Sequence, residues 1–184
     1  MNALTDNTLM LAVKNGEVDR LGMLYERYKV WVYNFFFQSN HNAALSEDLV
    51  QNVFMRILKY KHTYTEESKF VTWMFQIARN VNHDHFRKNK KHMDTVDLDG
   101  VAFKTENGKG AEETMELKES KNLLHEALKR LSLEKREVIV LSKLKELRYR
   151  EVGAILGCSE DAARTKAHRA LKELKTVYLQ LQKQ

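Results

Sequence analysis

The 184-residue chain has no proline and a single cysteine, Cys158. One cysteine excludes an intrachain disulfide framework and a multi-cysteine zinc site. The longest strongly apolar run, Val30-Trp31-Val32-Tyr33-Asn34-Phe35-Phe36-Phe37, is interrupted by Asn34. A membrane-spanning helix needs roughly 20 consecutive apolar residues, so no membrane insertion is expected. Met1 to Lys14 carries Asp6 and has no basic stretch leading into an apolar one, so no signal peptide is expected and the chain is placed in the cytoplasm. A glycine-rich phosphate loop is missing, as is any carboxylate–histidine set at metal-ligand spacing. His83 and His85 stand two apart, which on a helix turns them about 200° from one another, so they cannot share an ion. No catalytic residue, metal or cofactor is therefore expected. What remains, 43% hydrophobic and 30% charged residues, is the composition of a soluble globular protein.

Net charge is +6, unevenly placed. Residues 1–91 carry +4, residues 92–113 carry −4, and residues 114–184 carry +6. The acidic segment HMDTVDLDGVAFKTENGKGAEE holds three of the seven glycines and no helical stripe, the composition of a flexible linker. The chain thus divides into modules at 1–91 and 114–184 around a linker at 92–113. Two basic blocks suit two approaches to a polyanion. Two solvated lysine-rich surfaces would give the same balance.

Both modules read as helical, because apolar residues recur at threes and fours. The expected fold is all-α: two small helical domains, the second a helix-turn-helix. Thr5, Ser46 and Ser68 are the expected helix caps of the first module, and Val18, Leu21, Leu24, Tyr25, Tyr28, Val32, Phe35 and Phe36 form one long apolar stripe. After the linker, helices are expected near 114–131, 133–146, 149–157 and 160–182.

The sharpest local signal is Tyr149-Arg-Glu-Val-Gly-Ala-Ile-Leu-Gly157-Cys-Ser-Glu-Asp161. A short amphipathic helix meets Gly157, which can take the positive φ of a tight turn, and Ser159 caps a second helix. Small Gly153 lets the two helices cross closely. This is a helix-turn-helix layout. At 100° per residue Ala163, Ala167, Ala170, Leu171, Leu174, Val177 and Leu181 face inward. Thr165, His168 and Arg169 face outward with Arg164 and Lys166 at the margins, a set of donors suited to base edges in a major groove. Arg148, before the first helix, can bind phosphate. A plain helical hairpin with a solvated polar face remains the competing reading.

In the first module, a helix from Ser46 to Tyr60 sets Leu49, Val50, Val53, Phe54 and Ile57 against Asp48, Gln51, Asn52, Met55 and Lys59. Amides, a carboxylate and an adaptable methionine suit a protein partner, or simply a solvated face. The next helix pairs an apolar stripe (Phe70, Trp73, Met74, Ile77, Ala78, Val81) with Thr72, Gln76, Arg79, His83 and Arg87, Asn80 lying beside them. Before it runs the loop Lys61-His62-Thr63-Tyr64-Thr65-Glu66-Glu67-Ser68-Lys69. Aromatic, amide and basic groups interleaved in this way fit a single nucleic-acid strand, with Thr63 and Tyr64 able to receive an unstacked base.

Ser46-Glu-Asp-Leu-Val-Gln-Asn-Val-Phe54, Phe70-Val-Thr-Trp-Met-Phe-Gln-Ile-Ala-Arg-Asn80 and Tyr149-Arg-Glu-Val-Gly-Ala-Ile-Leu-Gly157 together resemble bacterial RNA polymerase sigma factors of the sigma-70 type, in particular the extracytoplasmic-function (ECF) subfamily, which keeps only regions two and four. The resemblance implies an alternative sigma factor that directs core RNA polymerase to promoter DNA. It implies that Asp48, Gln51, Asn52 and Met55 dock on the polymerase's largest subunit. Lys61, His62, Thr63, Tyr64, Lys69, Gln76, Arg79, Asn80, His83 and Arg87 would meet the minus-ten element as a melted strand. Arg148, Ser159, Arg164, Thr165, Lys166, His168 and Arg169 would meet the minus-thirty-five element as duplex. An anti-sigma factor is the implied regulator. The chain departs from the family where Leu131-Ser132 replaces Leu-Pro and Ala162-Ala163 replaces Thr-Val. A conventional dimeric helix-turn-helix regulator is the alternative; it would use symmetric half-sites and leave the docking and strand-reading helices without a purpose.

Overall fold

Eight α-helices are found among the described residues of the computed structural model, which are 4–93, 115–144 and 147–183, with backbone alone at 89–93, 115–118 and 144. They are α1 (Asp6–Lys14), α2 (Arg20–Asn40), α3 (Ala43–Tyr60), α4 (Phe70–Met93), α5 (Met115–Lys129), α6 (Leu133–Ile139), α7 (Tyr149–Leu156) and α8 (Glu160–Leu181). A 3₁₀ turn at Lys61–Thr63 and a π-helical turn at Val140–Leu144 are the other helical pieces. No strand occurs among these residues. Of the expected linker at 92–113, residues 94–113 lie outside the described ones, and α4 runs through His92 and Met93.

Thr5 caps α1 by accepting the Thr8 N–H at 3.2 Å. The α2 stripe buries Leu21, Leu24, Tyr28, Val32, Phe35 and Phe36, but Val18 stays outside it, 44% exposed in the turn before the helix. Tyr25 is half-buried and packs edge-on against Phe54 of α3, with ring centres 4.9 Å apart.

Two of the expected caps lie elsewhere. α3 begins one turn before Ser46, because Asn42 takes the cap and accepts the Leu45 N–H at 3.0 Å. Ser46 is buried inside the helix, its hydroxyl donating to Asn42 O. α4 is capped across space: Asn7 of α1 accepts the Phe70 N–H at 3.1 Å, while the Ser68 hydroxyl pairs with Thr65. A side-chain cap is worth about 1 kcal/mol. This one also ties the first helix to the fourth.

In the second half, Gly157 takes φ +71 and ends α7, and Ser159 caps α8 by accepting the Ala162 N–H at 3.2 Å. Gly153 is required by proximity. A Cβ there would stand 2.7 Å from the Cys158 carbonyl oxygen and 3.1 Å from that of Ser159. The helix expected over 133–146 ends sooner: α6 stops at Ile139 and continues as the π-helical turn, where the Ser142 hydroxyl donates back to Val138 O at 2.6 Å. Ser132 stands at the start of α6 but makes no side-chain cap bond.

The two halves pack on one another. A single buried cluster runs from Leu9 and Met10 of α1 through Phe35, Phe75 and Met74 to Val138, Leu141, Val152 and Ala170. α7 lies along α4, while α5 and α6 lie against the end of α2. Arg136 of α6 donates to the Ser39 carbonyl oxygen of α2, and His125 of α5 meets His41 at 3.4 Å between ring nitrogens. No helix among the described residues is long and apolar enough to cross a membrane.

Candidate polymerase and nucleic-acid interfaces

The outer arc of α3 presents Asp48, Gln51, Asn52 and Met55 together, all exposed, over the buried row Leu49, Val50, Val53, Phe54 and Ile57. Met55 is 68% exposed and stands among polar neighbours on this arc. Asn52 accepts from Arg56 at 3.0 Å, and Arg56 pairs with Asp84 of α4 at 2.8 Å, so the arc rests on a braced pair of helices. Beside it a groove of about 320 Å³ is lined by Tyr25, Lys29, Val30, Tyr33, Glu47, Val50 and Gln51.

The loop before α4 divides the expected strand-reading set. His62 and Thr63 are exposed, the Thr63 hydroxyl donating to Tyr60 O at 2.8 Å. Lys61 is turned inward, its ammonium 3.3 Å from Val13 O. Tyr64 is fully buried, not open to an unstacked base. Its ring packs 5.2 Å from that of Trp73, and its hydroxyl donates to Ser68 O at 2.9 Å. Burial pushes the Tyr64 phenol up to about 12. Phe70 and Trp73 are likewise core residues.

The polar stripe of α4 faces the second half of the chain. Lys69 pairs with Glu151 of α7 at 2.7 Å. Gln76 donates to the Ala154 carbonyl oxygen at 2.9 Å. Arg79, Asn82 and His83 converge on one carboxylate, that of Glu137 of α6. Nε of Arg79 and Nε2 of His83 donate to its Oε2 at 3.2 and 2.9 Å, and Nδ2 of Asn82 donates to its Oε1 at 3.2 Å. Glu137 is 0% exposed. The ammonium of Lys69, and then the Arg148 backbone N–H, hold the Glu151 carboxyl below the usual carboxylate range. Asn80 lies on the exposed side of α4, away from this contact, and Arg87 is exposed and paired with Asp84 at 2.9 Å. Sequence reasoning missed Asn82 and Glu137. The signal available for Glu137 was a lone acid directly before the apolar run Val138-Ile139-Val140-Leu141; Asn82, one residue from an apolar stripe, carried none.

On α8, Arg164, Thr165, Lys166, His168 and Arg169 are all exposed, and Ala163, Ala167 and Ala170 on the opposite side are fully buried. Three alanines give no bulk, so α8 seats closely on α6 and α7 and projects its outer face as a ridge. Arg164 reaches Glu160 at 3.1 Å and lies over the Tyr149 ring, 5.7 Å from its centre. Arg148 is exposed at the start of α7, its N–H donating to Glu151 at 3.0 Å. The Ser159 hydroxyl is engaged as the cap but sits at the exposed tip of α8. A cationic ridge on the second helix of a helix-turn-helix matches the geometry by which such helices enter a major groove.

An all-helical chain that joins this helix-turn-helix to a helical module with an exposed docking arc has the architecture of a sigma-70-type specificity subunit. Residues 24–92 match the family Sigma-70 region 2, and residues 121–174 match Sigma-70, region 4. The chain is 35% identical to the ECF RNA polymerase sigma factor SigM of Bacillus subtilis, over 84% of this chain and 93% of that one. It is 29% identical to the RNA polymerase sigma factor CarQ of Myxococcus xanthus, over 92% and 95%. Among solved structures, the sigma factor RpoE of Bartonella quintana, in complex with the anti-sigma factor NepR, superposes with a TM-score of 0.70 at 22% identity, over 85% of this chain and 95% of that one. CnrH, in complex with the cytosolic domain of CnrY, gives 0.68 at 22%, over 94% and 96%. The chain belongs to the ECF RNA polymerase sigma factors of the sigma-70 family. It is accordingly an alternative sigma factor, which associates with RNA polymerase and directs promoter-specific transcription initiation, and the dimeric regulator is set aside.

Proposed function

We propose that the two modules, 1–91 and 114–184, divide promoter recognition between them. Asp48, Gln51, Asn52 and Met55 on the outer arc of α3 dock on core RNA polymerase. The surface built from His62, Thr63, Lys69, Gln76, Arg79, Asn80, His83 and Arg87 takes the minus-ten element as a melted strand, with cations on phosphates and amides on base edges. Lys61 and Tyr64, also expected there from the sequence, support this surface from beneath by holding the loop to α1 and the core. On α8, Arg164, Thr165, Lys166, His168 and Arg169 read the minus-thirty-five element as duplex, while Arg148 and the α8 tip at Ser159 position the backbone. The chain works in the cytoplasm, has no catalytic activity of its own, and is held in check by an anti-sigma factor.

The observation that supports this reading most is the outer face of α8, where Thr165, His168 and Arg169 stand exposed across the helix from three buried alanines, with Arg164 and Lys166 exposed at its margins. The test is a footprint. Holoenzyme assembled from core polymerase and this chain, placed on a promoter selected from a random library, should protect an upstream duplex segment and leave downstream thymines reactive to a single-strand probe. Protection of two symmetric half-sites with no unpaired segment would contradict it.

A further inference from the structure

α1 lies ahead of residues 24–92, the span that matches Sigma-70 region 2, and it carries none of the residues assigned to polymerase or DNA. Leu9, Met10 and Val13 bury its inner face in the core. Two polar side chains near its ends, Asn7 and Lys14, are turned onto the loop from Lys61 to Lys69. They stand seven residues apart, which puts them almost in line along the helix and about 10 Å from one another.

Each grips one end of the loop. At the first end two lysines cross. The Lys14 ammonium donates to Tyr64 O at 2.6 Å, and the Lys61 ammonium donates to Val13 O at 3.3 Å. At the far end the Asn7 amide meets the backbone twice: Nδ2 donates to Ser68 O at 3.4 Å, and Oδ1 accepts the Phe70 N–H at 3.1 Å. An amide can do both at once, which neither a carboxylate nor an ammonium can. The Tyr64 hydroxyl donates to the same Ser68 carbonyl oxygen at 2.9 Å and so ties the two ends together. His62, Thr63, Thr65, Glu66 and Glu67 stay exposed around these fixed points, while Asn7 and Lys14 are half-buried. A lysine committed to a backbone carbonyl is withdrawn from phosphate, so Lys14 serves the loop by geometry and not by charge. A polar loop of this kind has little core of its own. What it offers an unstacked base is set by where its ends are held, and fixing them removes the conformations that would accept a wrong base.

We propose that α1 is a positioning element for reading the melted strand: Asn7 and Lys14, which touch no nucleic acid, hold the two ends of the loop from Lys61 to Lys69 and so set which bases its exposed residues accept. The proposal rests on the assignment of that loop to the minus-ten element.

The test uses holoenzyme made with the full chain, wild type or carrying Lys14→Met, Asn7→Leu or Asn7→Asp. Templates are a promoter selected from a random library and every single-base change in its downstream meltable element. The quantity read is the ratio of initiation rates on the preferred template and on each changed one. A loss of folded protein lowers both rates alike and leaves that ratio unmoved. A loop held in its reading arrangement one-tenth of the time binds about tenfold more weakly. Lys14→Met and Asn7→Leu should therefore lower the ratio several-fold to about tenfold at the bases next to the loop. Asn7→Asp keeps the acceptor for the Phe70 N–H and loses the donor to Ser68 O, so it should fall between Asn7→Leu and the wild type. Anisotropy on the upstream duplex and pull-down of core polymerase should not change. His62→Ala and Thr63→Ala, in the exposed part of the loop, separate the two ideas. If they lower the ratio while Lys14→Met and Asn7→Leu leave it at the wild-type value, positioning by α1 is overturned alone. If they too leave it unchanged, the loop does not read the strand, and the reading beneath the proposal falls with it. Rates that drop equally on all templates would make α1 a stabilising helix only and overturn the proposal. Helicity is checked by circular dichroism: where one of Lys14→Met and Asn7→Leu fails to fold the other decides, and failure of both likewise overturns it.

Discussion

Replacing Gly153 by alanine tests whether the close crossing of α7 and α8 organises the duplex-reading module. In an unobstructed helix the change would gain about 1 kcal/mol, because alanine is the better helix former. Here the new Cβ would meet the Cys158 carbonyl oxygen at 2.7 Å and the Ser159 carbonyl oxygen at 3.1 Å. Neither oxygen can swing away as a side chain would. The turn is held down by two bonds to the Gly153 carbonyl, from the Gly157 N–H and from the Cys158 N–H at 2.9 Å. Overpacking of this kind costs about 1–3 kcal/mol, and each turn bond given up adds about 0.5–1.5 kcal/mol. After subtracting the helix gain, Gly153→Ala should destabilise by about 1–3 kcal/mol, or roughly 2–4 °C in Tm for each kcal/mol in a chain of this size. Gly22→Ala is the internal control: nothing lies within 4 Å of its Cβ position in α2, so it should be neutral or stabilise by up to about 1 kcal/mol. Urea titration followed by circular dichroism reads both, and anisotropy on an upstream duplex should fall for the first variant alone. A Gly153→Ala chain as stable as the Gly22→Ala chain would refute the reasoning.

Arg169→Ala should relax sequence choice at one upstream base pair by about 1–3 kcal/mol, measured by competition among single-base variants of the duplex; equal weakening on all of them would mean a phosphate contact instead. Asp48→Ala should weaken core polymerase binding in a pull-down while duplex binding by the free chain stays unchanged, and loss of both would contradict separate interfaces. Stability should fall as pH drops from 6.5 towards 4. Burial, followed by repulsion from His125, Lys129 and Arg136 against the opposing pull of Glu126, depresses His41 to about 4. The folded chain thus binds fewer protons than the unfolded one across that window. The loss, about 1–3 kcal/mol at full extent given partial exposure, should shrink in His41→Asn, which tolerates the φ of +53 found there. Identical urea midpoints against pH for both chains would remove His41 as the cause.

The sequence made legible what is local. Gly157 and Ser159 mark the helix-turn-helix because a positive φ and a side-chain cap each act within a few residues. The inward faces of α3 and α8 follow from periodicity alone. The caps at Asn42 and Asn7 were missed for different reasons. Asn42 sits in a polar stretch with several candidates, and Asn7 meets Phe70 across 63 positions, a relation no local rule carries. Tyr64 read as a loop aromatic because a pattern of polar neighbours does not reveal a ring folded back on Trp73. The packing of one module on the other was the least legible feature. It depends on a few pairs between distant parts of the chain, and the one signal available, Glu137 as an acid beside an apolar run, went unread.

The most direct measurement is transcription in vitro by core RNA polymerase over a promoter library, with and without this chain. Specific initiation at a subset of templates that share an upstream duplex element and a downstream meltable one is the predicted result. Transcript starts that stay the same on every template when the chain is added would contradict it.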